Sequence, residues 1–270
     1  MPPNDMPCTL SIITPVFNGV RFMEGCILNV IGQNCPDAEH IIIDGGSTDG
    51  TVEVIKRYAR EYPHIRWVSE RDRGQSDAMN KGITMAAGEI LGFLNVDDYY
   101  EPGTLREVLT LFGTLPKPAL LVGNCSVWDD GDNLLGISTP SKISFLNLLC
   151  ARFMNAFPMN PSSYFYHKAL HDIIGPYDVE EHFGMDVHFI FRAVQAAHVC
   201  YVDRPWGNLR YFPGTKTYGD VESGQNRIRV GAIIASYRKQ APFLYRMYST
   251  AYVTLVKMYK FCQNTLKRTV

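Results

Sequence analysis

From Leu10 to Phe112 the chain alternates between two hydrophobic periods, and this alternation restricts the fold more than any other feature. Short apolar runs rich in β-branched residues (Leu10–Ile13, His40–Ile43, Ile65–Val68 and Ile90–Leu94) read as buried strands. Between and after them, Phe22–Ile31, Thr51–Tyr62, Ser76–Ala87 and Glu101–Phe112 carry helical spacing. Strands separated by helices pair in parallel, and the sheet is covered on both faces. Right-handed crossovers then bring the carboxyl ends of the strands to one edge, where open α/β sheets bind ligands.

Each of the four strands runs straight into a polar cluster at that edge. The clusters are Thr14-Pro15-Val16-Phe17-Asn18-Gly19, Asp44-Gly45-Gly46-Ser47-Thr48-Asp49-Gly50, Glu70-Arg71-Asp72-Arg73-Gly74-Gln75 and Asn95-Val96-Asp97-Asp98. They are distant in sequence, and the topology makes them converge. The glycines of the second cluster permit a tight turn and close approach of a ligand. Asp44, at a strand end, is placed to accept hydrogen bonds from a base or a ribose, while Asp49 is read as a cap of the next helix. Phe17 is suited either to stacking on a flat base or to packing beneath its loop. Asp97 and Asp98 emerge from an apolar strand as adjacent carboxylates, which repel unless a cation or hydrogen-bond donors compensate. Hard oxygen ligands suit Mg²⁺ or Mn²⁺, completed by substrate phosphates. We expect Asp97 to be the metal ligand and Asp98 to cap the helix near Pro102.

Past Pro116 the pattern loosens. Ala119–Val122 reads as a strand, Trp128–Leu135 as a hairpin around DDGDN, Ile143–Cys150 as helical, Ser163–Tyr166 as extended and Met185–Ala196 as helical. Val199–Val202 and Leu209–Phe212 read as two strands. From about Glu222 one helix runs to about Lys239, and a second follows Pro242.

The seven cysteines are scattered without a CxxC pair, which speaks against a disulfide framework or a cysteine zinc site and for a reducing compartment. The opening MPPNDMPC lacks a signal pattern, and no apolar run is long enough to span a bilayer. The expected localisation is therefore cytoplasmic. The net charge of -1 conceals a polarity. Every Asp and Glu lies at or before Glu222, whereas Arg227, Arg229, Arg238, Lys239, Arg246, Lys257, Lys260, Lys267 and Arg268 follow it. An acidic body with a basic tail argues against a nucleic-acid partner and for an anionic surface at the tail.

The segments SIITPVFNG, IIIDGGSTDGT, RDRGQSDAMNKG and LGFLNVDD, followed by IIGPYD and GMDVHFIFR, resemble a family 2 glycosyltransferase with the GT-A fold. The closest likeness is to the bacterial branch that builds O-antigen, capsule and exopolysaccharide. The resemblance implies a Rossmann-like, mostly parallel sheet flanked by helices, with a helical C-terminal extension. Its expected division is a GT-A domain over 1–220, with a nucleotide-binding part about 9–123 and an acceptor part about 124–220, and a basic amphipathic tail over 221–270.

It implies further that Pro15, Phe17, Asn18, Asp44, Asp72, Lys81, Asn95, Val96 and Asp97 hold a nucleotide-sugar donor, probed most naturally with UDP-sugars, with Asp97 on Mn²⁺ or Mg²⁺. The metal motif departs from its usual form, because Asn95 replaces the first acidic position. Asp186 takes the position of the catalytic base that removes the acceptor hydroxyl proton during inversion. Its rival role is as the N-cap of its own helix, and His188 is a second candidate base. Arg210 and Lys216 fall in LRYFPGTKT, which resembles a segment that closes over donor phosphates, with Gly214 as its hinge. Arg192 is expected either to tie its helix to the nucleotide site or to form an ion pair. Trp128, Asn160, Ser162 and Tyr164 are candidates for the acceptor cleft.

The expected partners are a nucleotide-sugar and a carbohydrate or lipid-linked glycan acceptor. The stripe Leu244, Met247, Tyr248, Ala251, Leu255, Met258, Tyr259 and Cys262 has helical spacing. It would pack on the domain or on a second copy as a homodimer, or lie on the inner face of the membrane as a peripheral contact. Two rival activities are weighed beside the transferase. A sugar-nucleotide-forming nucleotidyltransferase would carry a Gly-rich basic loop after the first strand, where this chain has TPVFNG. A non-catalytic binding subunit would not need both Asp97 and Asp186.

Overall fold

The computed structural model describes residues 9–150 and 156–266. Its centre is a nine-stranded mixed sheet in the order β3-β2-β1-β4-β8-β6-β9-β5, with β7 paired to β6. The N-terminal half is the expected parallel array. β1 (Leu10–Val16) lies between β2 (Ala38–Asp44) and β4 (Ile90–Phe93), and β3 (Ile65–Ser69) borders β2. Alternation along these strands divides the core. Ile13, Ile41 and Ile43 enter one buried cluster, while Leu10, Ile12 and Ile42 enter the other. Helices α1 (Val20–Gly32), α2 (Thr51–Glu61) and α4 (Thr104–Phe112) cover the second cluster, and α3 (Gln75–Met85) covers the first.

Beyond β4 the sheet changes direction. β8 (Tyr164–His167) is antiparallel to both β4 and β6 (Ala119–Trp128). β6 forms the expected hairpin with β7 (Leu134–Ser138) and pairs in parallel with β9 (His198–Arg210). Two strands expected in this region are one: β9 is continuous, because Pro205 and Gly207, which interrupt the apolar pattern, sit at shifts in register against Asn124 and Cys125. A further strand escaped the sequence pattern. β5 (Tyr99–Tyr100) pairs with Asn208 and Gly207, so Asp98 leads into a strand and caps no helix. α4 begins only after Gly103, whose φ of 80° is the left-handed conformation glycine tolerates.

Short helices α5 (Phe145–Leu149) and α6 (Leu170–Ile174) and the long α7 (Met185–Ala196) complete the layer over the first core cluster. α8 (Lys216–Glu222), α9 (Gln225–Gln240) and α10 (Phe243–Leu266) follow. Buried Ile233 and Ile234 dock α9 on that same cluster. No helix among the described residues is long and apolar enough to cross a membrane. Expectations resting on Cys8, Lys267 and Arg268 lie outside the described residues, as do those on the side chains of Lys257, Lys260 and Cys262.

Candidate active site

A cavity of about 570 Å³ opens where β1 and β4 end, roofed by the turn Met159–Pro161 and by the start of α8. Its walls include Pro15, Phe17, Asp72, Asn95, Val96, Asp97, Asp186, Arg210 and Lys216. The two carboxylates singled out from sequence, Asp97 on the β4 side and Asp186 at the first turn of α7, therefore share one space although they are far apart in the chain.

Asp97 and Asp98 divide the work of the strand end. Asp98 is 3% exposed, and its Oδ2 accepts from Asn95 Nδ2 at 2.8 Å and from Asn160 Nδ2 at 2.8 Å, while Oδ1 accepts from the Arg210 amide at 3.2 Å. It pins the end of β4 to the roof turn and to the end of β9. Burial, then the charge of Asp97, pushes its pKa to about 8, against the pull of its amide donors. Asp97 stays half-buried on the cavity wall. Burial raises its pKa too, offset by its own backbone amide and by the Arg210 guanidinium. Two adjacent carboxyls, both pushed toward the neutral form, make a place where added positive charge stabilises the ionised state. The described residues bring no group of three or more His, Cys, Asp or Glu together. The adjacent Asp97 and Asp98 carboxyls fit a Mg²⁺- or Mn²⁺-type ion that takes one or two protein carboxylates and completes its shell with phosphate and water.

Asn95 joins this network rather than standing free: its Oδ1 accepts from Gln75 Nε2 at 3.1 Å. Asp72 Oδ1 accepts from the Gly74 amide at 2.9 Å, and a Cβ on Gly45 would lie 2.6 Å from Asp72 Oδ2. The Asp72 carboxylate thus packs directly against Gly45, where the third cluster meets the second.

Several expected contacts lie elsewhere. Asp44 is fully buried and absent from the cavity wall. Its Oδ2 is taken by the Gly46 and Ser47 amides and by Ser69 Oγ, which builds the turn after β2, while Oδ1 has no protein partner. Asn18, at φ 50°, spends its Oδ1 on the Thr48 amide and links the first loop to the second. Lys81 is held by Glu70 at 2.8 Å and Asp77 at 3.6 Å, away from the cavity. Trp128 is off the wall as well, with Nε1 donating to Asn208 Oδ1 at 2.7 Å. Ser162 and Tyr164 are buried behind the cavity, whereas Asn160 lines it. Among the described residues Arg192 forms neither expected link; its guanidinium donates to the carbonyls of Ile174 and Pro176 at the end of α6.

On the opposite wall, Asp186 Oδ1 is sealed from solvent without a protein partner. Burial pushes its pKa from 3.8 to about 6, against the pull of the Lys216 charge and the Tyr164 hydroxyl. The N-cap of α7 is Gly184, so Asp186 does not cap its own helix. His188 is turned to Tyr237 at 3.2 Å and is not on the cavity wall. Lys216 Nζ donates to the His182 carbonyl and lies 4.5 Å from the Phe183 ring centre. On the other side, the Arg229 guanidinium sits 4.2 Å from the same ring while gripping both oxygens of Asp220. Phe183, Gln75, Met159 and Asp220 are wall residues that the sequence reading passed over. Phe183 and Gln75 stood inside or beside quoted motifs, and their role shows only in their contacts, with Lys216 for Phe183 and with Asn95 for Gln75.

The comparisons agree with this architecture. Residues 11–169 match the model of glycosyl transferase family 2. A mycobacterial PGL/p-HBAD biosynthesis glycosyltransferase from Mycobacterium tuberculosis is 30% identical over 67% of this chain and 68% of its own length. The Escherichia coli glycosyltransferase YibD is 37% identical over 38% of this chain, but the match spans only 30% of that protein. Among solved structures, Staphylococcus aureus TarS 1-349 in complex with UDP-GlcNAc superposes with a TM-score of 0.68 at 16% identity, covering 91% of this chain and 70% of TarS. The mannosyltransferase PcManGT of Pyrobaculum calidifontis in complex with GDP-Man and Mn²⁺ gives 0.65 at 17% identity, covering 91% and 69%. With a GT-A-like sheet, and a family match over more than half its length, the chain belongs to glycosyl transferase family 2.

Proposed function

We propose that the cavity binds a nucleotide-sugar, by preference a UDP-sugar, and that the protein transfers the sugar with inversion to a hydroxyl of a carbohydrate acceptor in cell-surface polysaccharide synthesis. The observation that carries this is the shared cavity of Asp97 and Asp186. Pro15 and Phe17 flank the nucleotide end with Asp72. Asp97, assisted by Asn95 and Val96 at the same strand end, would hold Mg²⁺ or Mn²⁺. Bound there, the ion would neutralise charge developing on the departing diphosphate. Arg210 and Lys216, which also line the cavity, supply further positive charge.

Asp186 accepts the acceptor's hydroxyl proton as the oxygen attacks the anomeric carbon and the bond to the diphosphate breaks. A base whose pKa is raised to about 6 is ionised at neutral pH and still basic enough for the task. In this reading residues 9–123 serve the donor and 124–220 the acceptor. The tail carries the protein to the inner face of a membrane, where a lipid-linked acceptor would be presented.

The test is a pair of variants assayed with a panel of sugar nucleotides. Asp97→Ala should abolish the metal-dependent thermal stabilisation given by the best donor. Asp186→Asn should keep that stabilisation and lose at least ~100-fold in turnover. Normal turnover by Asp186→Asn would remove it as the base, and metal-dependent donor binding by Asp97→Ala would remove Asp97 as the ligand.

A further inference from the structure

Behind Asp186 lies an arrangement that neither donor binding nor the family match requires. Phe189, one turn along α7, is surrounded by the rings of Tyr164 at 5.9 Å, Tyr166 at 4.6 Å, Tyr177 at 5.3 Å and His171 at 5.9 Å. All three tyrosines are buried. Tyr164 Oη, Tyr177 Oη and Asp186 Oδ1 are each buried without a hydrogen-bond partner. Burial raises the pKa of all three tyrosines, and the charge of Asp186 raises each further, so the carboxylate is felt at every hydroxyl. Unpaired buried polar atoms are uncommon in folded proteins, and two tyrosine hydroxyls left so around Phe189, one turn from a carboxylate oxygen that is also unpaired, require a reason.

The far end of the cluster has a fixed polarity. His171 Nδ1 lies 3.0 Å from the Gly175 carbonyl, which can only accept, so Nδ1 carries the hydrogen. In the neutral ring, which burial favours, Nε2 is then an acceptor and takes the Tyr166 hydroxyl hydrogen at 2.8 Å. Tyr166 Oη is left as an acceptor facing Tyr177 and Tyr164. A hydroxyl placed between that acceptor cluster and Asp186 can turn either way at little cost.

Resting on the reading of Asp186 as the base, we infer that Tyr164 is its positioning residue. A small rotation brings its unpartnered hydroxyl to donate to the unpartnered Asp186 Oδ1 of the ionised carboxylate, and the hydroxyl turns toward Tyr177 and Tyr166 to accept from Asp186 once the acceptor's proton has arrived. No bond other than the O–H bonds of the acceptor and Asp186 changes in that swing; the proton stays on Asp186 until product leaves. A hydrogen bond to a charged acceptor is stronger than one to a neutral group, so the hydroxyl favours the ionised base. The charged groups facing Asp186 from other elements are Lys216 on α8, with Asp220, Arg229 and Glu181 beside that lysine. None of them replaces a donor on the buried side of the carboxylate.

The experiment is the pH profile of kcat for Tyr164→Phe, which keeps the ring against Phe189, measured beside wild type and Asp186→Asn. Tyr164→Phe should lower kcat about tenfold with little change in donor KM. Its acidic limb should move to higher pH by at least about half a unit, because the ionised base has lost its donor. Tyr177→Phe should move the limb the same way by less, and it carries the test if Tyr164→Phe does not fold. An acidic limb that coincides with wild type in the folded variants overturns the inference. If that happens while Asp186→Asn is inactive, only the positioning role falls; if Asp186→Asn turns over normally, the base assignment falls with it.

Discussion

Neighbouring aspartates in one tetrapeptide have opposite duties. Both line the cavity, but Asp98 is buried and consumed by three protein donors, whereas Asp97 stays half-buried. A strand end delivers alternate side chains to different surroundings, so one residue can organise the edge that its neighbour uses. Asp186 bears a different cost. Its pKa is raised in the folded protein, from 3.8 to about 6, and the unfolded chain therefore releases this proton first. The folded state binds more protons between these values, so stability falls as pH rises through that window and the full penalty is present above it. Partial exposure to the cavity tempers the size of the effect, which we place at roughly 1–3 kcal/mol. Asp186→Asn should thus melt higher than wild type at about pH 8, and the gain should vanish as pH falls toward about 4. Paired thermal melts read this directly. Equal melting temperatures at the alkaline end would mean that the buried carboxylate is not strained.

At the level of elements, the roof of the cavity depends on a close approach that only glycine allows. A Cβ on Gly207 of β9 would meet Ser162 Oγ at 2.2 Å and the Ser162 backbone at 2.7 and 2.8 Å. The turn Pro161–Ser163 rests on that glycine, and Asn160, which caps the turn, is the residue that holds Asp98. Gly207→Ala should destabilise the protein by about 1–3 kcal/mol and weaken metal-dependent donor binding, as denaturant melts and donor titration would report. Unchanged donor affinity would show the roof turn to be independent of the metal edge. This part of the molecule was also the least legible. The strands β1 to β4 were readable because buried parallel strands are continuous apolar runs between helices of clear period. β5 has only two residues and so no pattern of its own, and it exists because it pairs with β9, while Pro205 and Gly207 break the pattern of β9 into two, and its continuity comes from pairing with β6. The same limit applies to the site. Asp97 and Asp186 were visible as carboxylates in distinctive segments, whereas the placement of Lys81 and Asp44 was decided by partners that no spacing reveals, namely Glu70 and Asp77 for one and the turn amides for the other.

Across the whole molecule, charge and apolar surface are segregated. Every acidic residue lies at or before Glu222, and α10, which packs Tyr245 against Phe145 of α5, leaves Leu244, Met247, Tyr248, Leu255, Met258 and Tyr259 each more than half exposed. The basic residues of this region are not equivalent. Arg229 is neutralised by Asp220 and the Arg238 guanidinium is bound to the Leu149 carbonyl, but Arg227, Lys239 and Arg246 are exposed. An apolar helical stripe beside exposed cations, on a chain that is otherwise acidic, matches the chemistry of an anionic bilayer surface, where each such cation contributes about 1 kcal/mol. Binding to vesicles containing an anionic phospholipid should therefore be strong at low salt and weaken steeply as salt shortens the Debye length. The double variant Leu244→Glu/Met247→Glu should lose vesicle binding while keeping the wild-type melting temperature, because neither side chain supports the core. A homodimer that covers the same stripe predicts otherwise: the wild type would sediment as a dimer, ignore vesicles, and become monomeric in the double variant.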